Sequence, residues 1–245
     1  MADIKPLSYA TVDAKCTHTA TFIFVHGLGD CGYRWEPVAE LFVRHPALGH
    51  IKWILPNMCN AVSCVRSLSI CFLRFDIKNF GVPIGPEDEE GMFESRARLH
   101  ALIDGEIKAG IPPSRIVLGG LSQGGVMTWL TGLTSPVKLA GLVVLSSRLG
   151  VPHRVKELAA PHVAELPIFC AHGDADDLVH IDRCYASLEF LNTNLGIGKA
   201  ASPGLPGISL HIYEGLGHTT NTRELEDLRA WLECVLPAIE VPQVL

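Results

Sequence analysis

Gly120-Leu121-Ser122-Gln123-Gly124 is a G-x-S-x-G, and the apolar runs on either side predict a strand before it and a helix after it. A serine at so sharp a strand-to-helix turn carries its hydroxyl outward on a strained backbone. Glycines two residues to each side remove the Cβ atoms that would collide there. Such a serine can attack an acyl carbonyl. The start of the following helix would aim the Gln123 amide at the oxyanion that develops. An ordinary serine in a glycine-rich turn is the plain alternative, and the strand–turn–helix context weighs against it.

A serine nucleophile needs a base to take its proton and an acid to orient that base. When serine comes first in the chain, the acid and then the histidine follow, each on the loop after a later strand. After the apolar run 168–171, the segment HGDADDLV (172–179) puts Asp174, Asp176 and Asp177 into one loop. By position alone, any of the three could be the acid. After the last strand-like run, SLHIY at 209–213, the chain continues Glu214-Gly215-Leu216-Gly217-His218. The chain has 11 histidines, so a histidine somewhere means nothing. Only His218 meets both the order and the position expected of the base. His211 falls inside a strand, His45, His50, His100, His153 and His162 stand in no motif, and His26 is read as bracing the turn after the first strand.

A rival motif is Gly27-Leu28-Gly29-Asp30-Cys31-Gly32, a literal G-x-G-x-x-G between the first strand and a helix. A dinucleotide site would also need an acidic residue at the end of the second strand. That strand ends Ile54-Leu55-Pro56-Asn57, without one. In a serine hydrolase the same loop has another use. The backbone near Leu28 supplies the second oxyanion-hole amide.

These residues need a frame. Short apolar runs at 21–25, 52–55 (stopped by Pro56), 115–118, 139–145, 168–171 and 209–213 read as strands. Helical spacing marks 35–44, 90–109, 123–133 and 181–195, the last closed by Gly196. A final helix starts near Asn221, with Glu224 three residues on. Alternating strands and helices imply a mostly parallel sheet with helices on both faces, an α/β fold. At 245 residues the chain suits one large domain, read as 20–238, after an N-terminal extension (1–19) and before a C-terminal tail (239–245). A chain of this size buries about 70% of its surface, so neither metal nor disulfide is required to hold it.

Composition removes other classes. With 48% hydrophobic and 19% charged residues the chain is neither disordered nor a coiled coil. A net charge of −6 without Lys/Arg clusters argues against a nucleic-acid partner. No apolar stretch reaches membrane-spanning length, so any membrane contact would come through the surface or the substrate. The eight cysteines form no C-x-x-C pair and no zinc spacing, and MADIKPLSYA has no apolar signal core. Reduced thiols in a cytoplasmic protein are the expectation.

Together the blocks HGLGD (26–30), FDIKNFG (75–81), GGLSQGG (119–125), KLAGLVVLS (138–146), HGDADDLV (172–179) and YEGLGH (213–218) resemble the acyl-protein thioesterase/lysophospholipase family of α/β-hydrolases. The resemblance implies Ser122 as nucleophile, Asp176 as acid and His218 as base. It selects Asp176 because the family's acid is the second aspartate of HGDxD. It implies Leu28 and Gln123 as the oxyanion-hole amides, and neither metal nor organic cofactor. The implied substrates are palmitoyl thioesters on protein cysteines, with lysophospholipids and small esters as the alternative. Two departures touch the substrate side. Residues 57–74 lack the family's Pro/Met/Gly-rich loop and carry Arg74 where it has tryptophan, as a divergent acyl channel or a misread exon would. Ser147-Arg148-Leu149-Gly150 replaces a Trp-Leu-Pro continuation. If the first departure disables the site, the chain would be an idle acyl-binding protein.

Overall fold

Phe22 and Phe24 point to one face of a sheet, Ile23 and Val25 to the other, and all four are buried. That is why TFIFV is apolar throughout rather than alternating: helices cover both faces. The computed structural model describes residues 7–57 and 87–239. Its strands are β1 (Ser8–Val12), β2 (Ala20–Val25), β3 (Ile51–Asn57), β4 (Ile116–Leu121), β5 (Gly141–Leu145), β6 (Pro167–Gly173) and β7 (Gly207–Tyr213). Its helices are α1 (Glu36–Val43), α2 (Glu89–Lys108), α3 (Gln123–Leu133), α4 (Pro152–Leu158), α5 (Ile181–Leu195) and α6 (Thr222–Val235).

The strands form one sheet in the order β1-β3-β2-β4-β5-β6-β7. Only β1 runs antiparallel to its neighbour. The alternate side chains of each strand divide two cores. Ile23, Leu118, Leu142 and Ile168 meet Met92, Leu99, Trp129 and Leu191 from α2, α3 and α5. Phe22, Trp53, Val143 and Phe169 meet Phe42 of α1 and Leu228, Trp231 and Leu232 of α6. Truncating one of these large side chains to alanine costs about 2–5 kcal/mol. No helix among the described residues is long and apolar enough to cross a membrane.

The chain goes from β2 outward to β3, then returns to the other side of β2 as β4. The winding therefore reverses beside β2. In open parallel sheets the crevice for a ligand lies at the carboxyl ends of the strands at such a reversal. The loops leaving β2 and β4 there carry Leu28 and Ser122.

Helix α3 occupies the predicted residues, and α5 ends as expected at Gly196, which adopts φ +67°. Asn221 caps α6, its side-chain oxygen accepting the Glu224 amide at 2.8 Å. Pro56 does not stop its strand as expected. The last β2–β3 pair is Ile23 with Ile54, so beyond it β3 borders β1 alone and tolerates a residue without an N–H.

Candidate active site

Strand β4 ends one residue before Ser122, which sits at φ 54°, ψ −116°. This backbone conformation strains any residue with a Cβ. Three hydrogen bonds impose it. The Ser122 amide donates to the Leu145 carbonyl at 2.8 Å, and the Ser122 carbonyl accepts the Val126 amide at 3.1 Å and the Ser147 hydroxyl at 2.7 Å. The flanking glycines let α3 approach. A Cβ on Gly120 would stand 2.4 Å from the Gly124 carbonyl carbon, and one on Gly124 would stand 2.1 Å from the Val25 oxygen.

The loop after β2 lies against this elbow. A Cβ on Gly27 would be 3.4 Å from the Ser122 Cβ, which brings the turn at Leu28 beside the serine. Side chains fix the loop. Asp30 accepts the Cys31 amide at 2.9 Å and the Trp35 indole N–H at 3.1 Å. His26 braces the turn as expected, its Nδ1 donating to the Gly27 carbonyl at 2.8 Å. Where a dinucleotide site would have its acid, Asn57 Oδ1 accepts the Gly32 amide at 2.9 Å. Gln123 opens α3 immediately after Ser122, so the two expected oxyanion donors flank the serine from β2 and α3.

The loops expected to carry the acid and the base leave neighbouring strands, β6 and β7, and bond to each other. The Asp174 amide donates to the Tyr213 carbonyl and the Ala175 amide to the Leu216 carbonyl, both at 3.1 Å. The Asp174 carboxylate accepts the Gly215 amide at 2.7 Å. Similar links run inward along the sheet: the Ser146 amide donates to the Ala171 carbonyl at 2.8 Å. Ser122, Asp176 and His218 thus follow β4, β6 and β7 at the same end of the sheet, with β5 between the first two.

The structure separates the three carboxylates that sequence position left open. Asp176 Oδ2 lies 2.7 Å from His218 Nδ1, while its Oδ1 accepts the amides of Leu178 (3.0 Å) and Val179 (2.8 Å). Asp174 holds Gly215, and Asp177 is exposed. Burial alone would push the Asp176 carboxyl up. The His218 bond, the two amides and the histidine charge outweigh it and hold the group below the usual carboxylate range. A carboxylate so held fixes one ring nitrogen of His218 and leaves Nε2 as the nitrogen that can serve a hydroxyl.

Sequence reasoning overlooked His172. It is fully buried, with Nε2 2.7 Å from the Val179 carbonyl oxygen and 3.5 Å from Asp176 Oδ2. Burial pulls its imidazole down, but the Cys184 thiol, the Val179 carbonyl and the Asp176 carboxylate together raise it above its ordinary value. The available signal was its place at the head of HGDADDLV. Glu224 is also fully buried, and burial pushes its carboxyl up to about 7 against the Asn221 amide and the charge on His172.

Of the divergent stretch 57–74, all but Asn57 lies outside the described residues. The second departure is built into the fold. Arg148 pairs with Glu87 at 2.7 Å, and the other oxygen of Glu87 accepts the Val151 amide at 2.6 Å.

The family described as phospholipase/carboxylesterase matches residues 8–236. Acyl-protein thioesterase 1 of Cryptococcus neoformans is 36% identical over 231 residues, covering 92% of this chain and 96% of the relative. Acyl-protein thioesterase 1 of Gibberella zeae is 37% identical over 230 residues, covering 91% and 94%. Among solved structures, Arabidopsis thaliana SOBER1 superposes with a TM-score of 0.75 at 28% identity, covering 89% of this chain and 99% of that one. Acyl-protein thioesterase 2 of Zea mays gives 0.74 at 26%, covering 94% and 99%.

Proposed function

The chain belongs to the phospholipase/carboxylesterase family of α/β-hydrolases, and on that premise we propose that it removes fatty-acyl groups from protein cysteines by acyl-serine catalysis. Ser122 is the nucleophile, His218 the base and Asp176 the acid. The observation that carries this reading is the 2.7 Å contact of Asp176 with His218 at the same sheet end as the strained Ser122.

In this mechanism His218 Nε2 takes the Ser122 proton as the oxygen attacks the thioester carbonyl. Asp176 keeps the imidazole oriented and stabilises its positive charge. The amides of Leu28 and Gln123 hold the oxyanion. As the tetrahedral centre collapses, the C–S bond breaks and His218 protonates the departing cysteine sulfur. Water then attacks the acyl-serine with His218 again as base, releasing the fatty acid and restoring Ser122. We assign this chemistry to the domain expected over residues 20–238, to whose sheet β1 (Ser8–Val12) adds the edge strand, and place the protein in the cytoplasm, with acylated proteins as its partners.

Labelling with a fluorophosphonate, wild type beside Ser122→Ala, tests the nucleophile. Labelling lost in the variant is expected. An unlabelled, folded wild type would overturn the reading in favour of an idle acyl-binding protein. The family description favours one second reading, hydrolysis of lipid or small carboxylic esters. Rates on a palmitoylated cysteine peptide and on lysophosphatidylcholine decide between them.

A further inference from the structure

Asp176 must present Oδ2 to His218 while Oδ1 is held by its own turn. Within that turn, residues 176–179, only Asp176 itself is buried. Asp177 and Leu178 are exposed, and Val179 is only half-buried. Its grip on the protein interior comes from below. His172, near the end of β6, is locked in the sheet opposite Ile212 of β7 and fully buried. Its Nε2 lies 2.7 Å from the Val179 carbonyl oxygen. A carbonyl only accepts, so Nε2 carries the hydrogen. The N–H of the same residue, Val179, donates to Asp176 Oδ1 at 2.8 Å. Val179 is thus held on one side by the acid and on the other by a histidine rooted in the sheet. The ring edge also lies 3.5 Å from Asp176 Oδ2, so its donor side faces the carboxylate.

We propose that His172 is a positioning residue of the active site: its Nε2–H fixes Val179 and thereby aims the Asp176 carboxylate at His218. The inference rests on the assignment of Asp176 as the acid. A histidine that merely fills volume would make no use of which ring nitrogen carries hydrogen, and this distinction supplies the test. In His172→Gln the side-chain amide nitrogen reaches the place of Nε2. In His172→Asn it stands where Nδ1 stood. Both lose the ring.

The expected result is that the two variants unfold at similar temperatures but differ in catalysis. The Gln variant keeps kcat on p-nitrophenyl butyrate to within about tenfold. The Asn variant loses about 100-fold in kcat and in the rate of fluorophosphonate labelling, with KM unchanged, as a small misplacement of a catalytic group would cause. Equal losses in both variants, or no loss in either, would overturn the proposal. A measurement on the wild type needs no variant to fold: the ring-nitrogen NMR signals of His172 must show Nε2 protonated, and a bare Nε2 would equally overturn it. Failure of the underlying reading looks different. Ser122 would then go unlabelled in the wild type, whatever the state of His172.

Discussion

Gly173 and Leu216 meet so closely that a Cβ on the glycine would stand 2.0 Å from the Leu216 carbonyl oxygen. Gly173 ends the strand that carries the acid loop, and Leu216 lies two residues before His218 in the base loop. The contact is backbone against side-chain position, so no rotamer change can relieve it. Gly173→Ala should therefore separate the loops. The expected outcome is a loss of about 3 kcal/mol in denaturant unfolding, at the upper end of overpacking costs, with about 100-fold lower kcat.

The three aspartates of the acid loop should rank unequally. Asp176→Asn leaves an amide that favours the wrong tautomer of His218, and a loss of about 10⁴-fold in kcat is expected. Asp174→Asn keeps an oxygen for the Gly215 amide and should lose less than about tenfold, since backbone placement survives. Asp177→Asn should behave as wild type. Steady-state rates on one ester substrate measure all three.

Ser122→Gly and Ser122→Ala should both be inactive, yet differ in stability. Alanine inherits the strain at φ 54°, ψ −116°, worth about 1–3 kcal/mol. Glycine escapes it at a cost of about 0.5–1 kcal/mol in chain entropy. Chemical denaturation should find the glycine variant more stable by about 1 kcal/mol.

Glu224 makes a pH-dependent prediction. Folding raises its carboxyl from an ordinary 4.5 to about 7, so between those values the folded protein binds the proton that the unfolded chain has released. Its contribution to stability is then fully favourable below about 4.5 and declines as pH rises to about 7. The charge that His172 carries when protonated acts against the shift. Glu224→Gln removes this decline and should be the more stable form above pH 7, by on the order of 3 kcal/mol. Unfolding free energies of both proteins at pH 5 and pH 8 measure it.

The elements that bury most were the most legible in the sequence. Helix α3 is buried at every residue, and its apolar run has the bounds that the sequence predicts. Strand β1 escaped notice because it buries only Ala10 and Val12 and owes its place to pairing with β3. Helix α4 buries only Val155 and shows no periodicity. At the site, spacing singled out Ser122 and His218, since each follows a recognisable strand. It left Asp174, Asp176 and Asp177 equivalent, because which one turns inward depends on hydrogen bonds to Tyr213, Gly215 and Leu216, more than 35 residues further along the chain. The resemblance made that choice where spacing could not. The role of His172 was illegible for the same reason: its carbonyl partner is reached only when the loop folds back over the strand.

The acid and base loops hang on each other through Asp174, Ala175, Gly215 and Leu216 rather than each on the sheet alone. Neither can open without releasing the other's amides to water. Hydrogen exchange should therefore report a single rate for the protected amides of Ala175 and Gly215, the signature of one cooperative opening unit. The pairing of Asp176 with His218 would then be all-or-none, made in the closed molecules and missing in the rest.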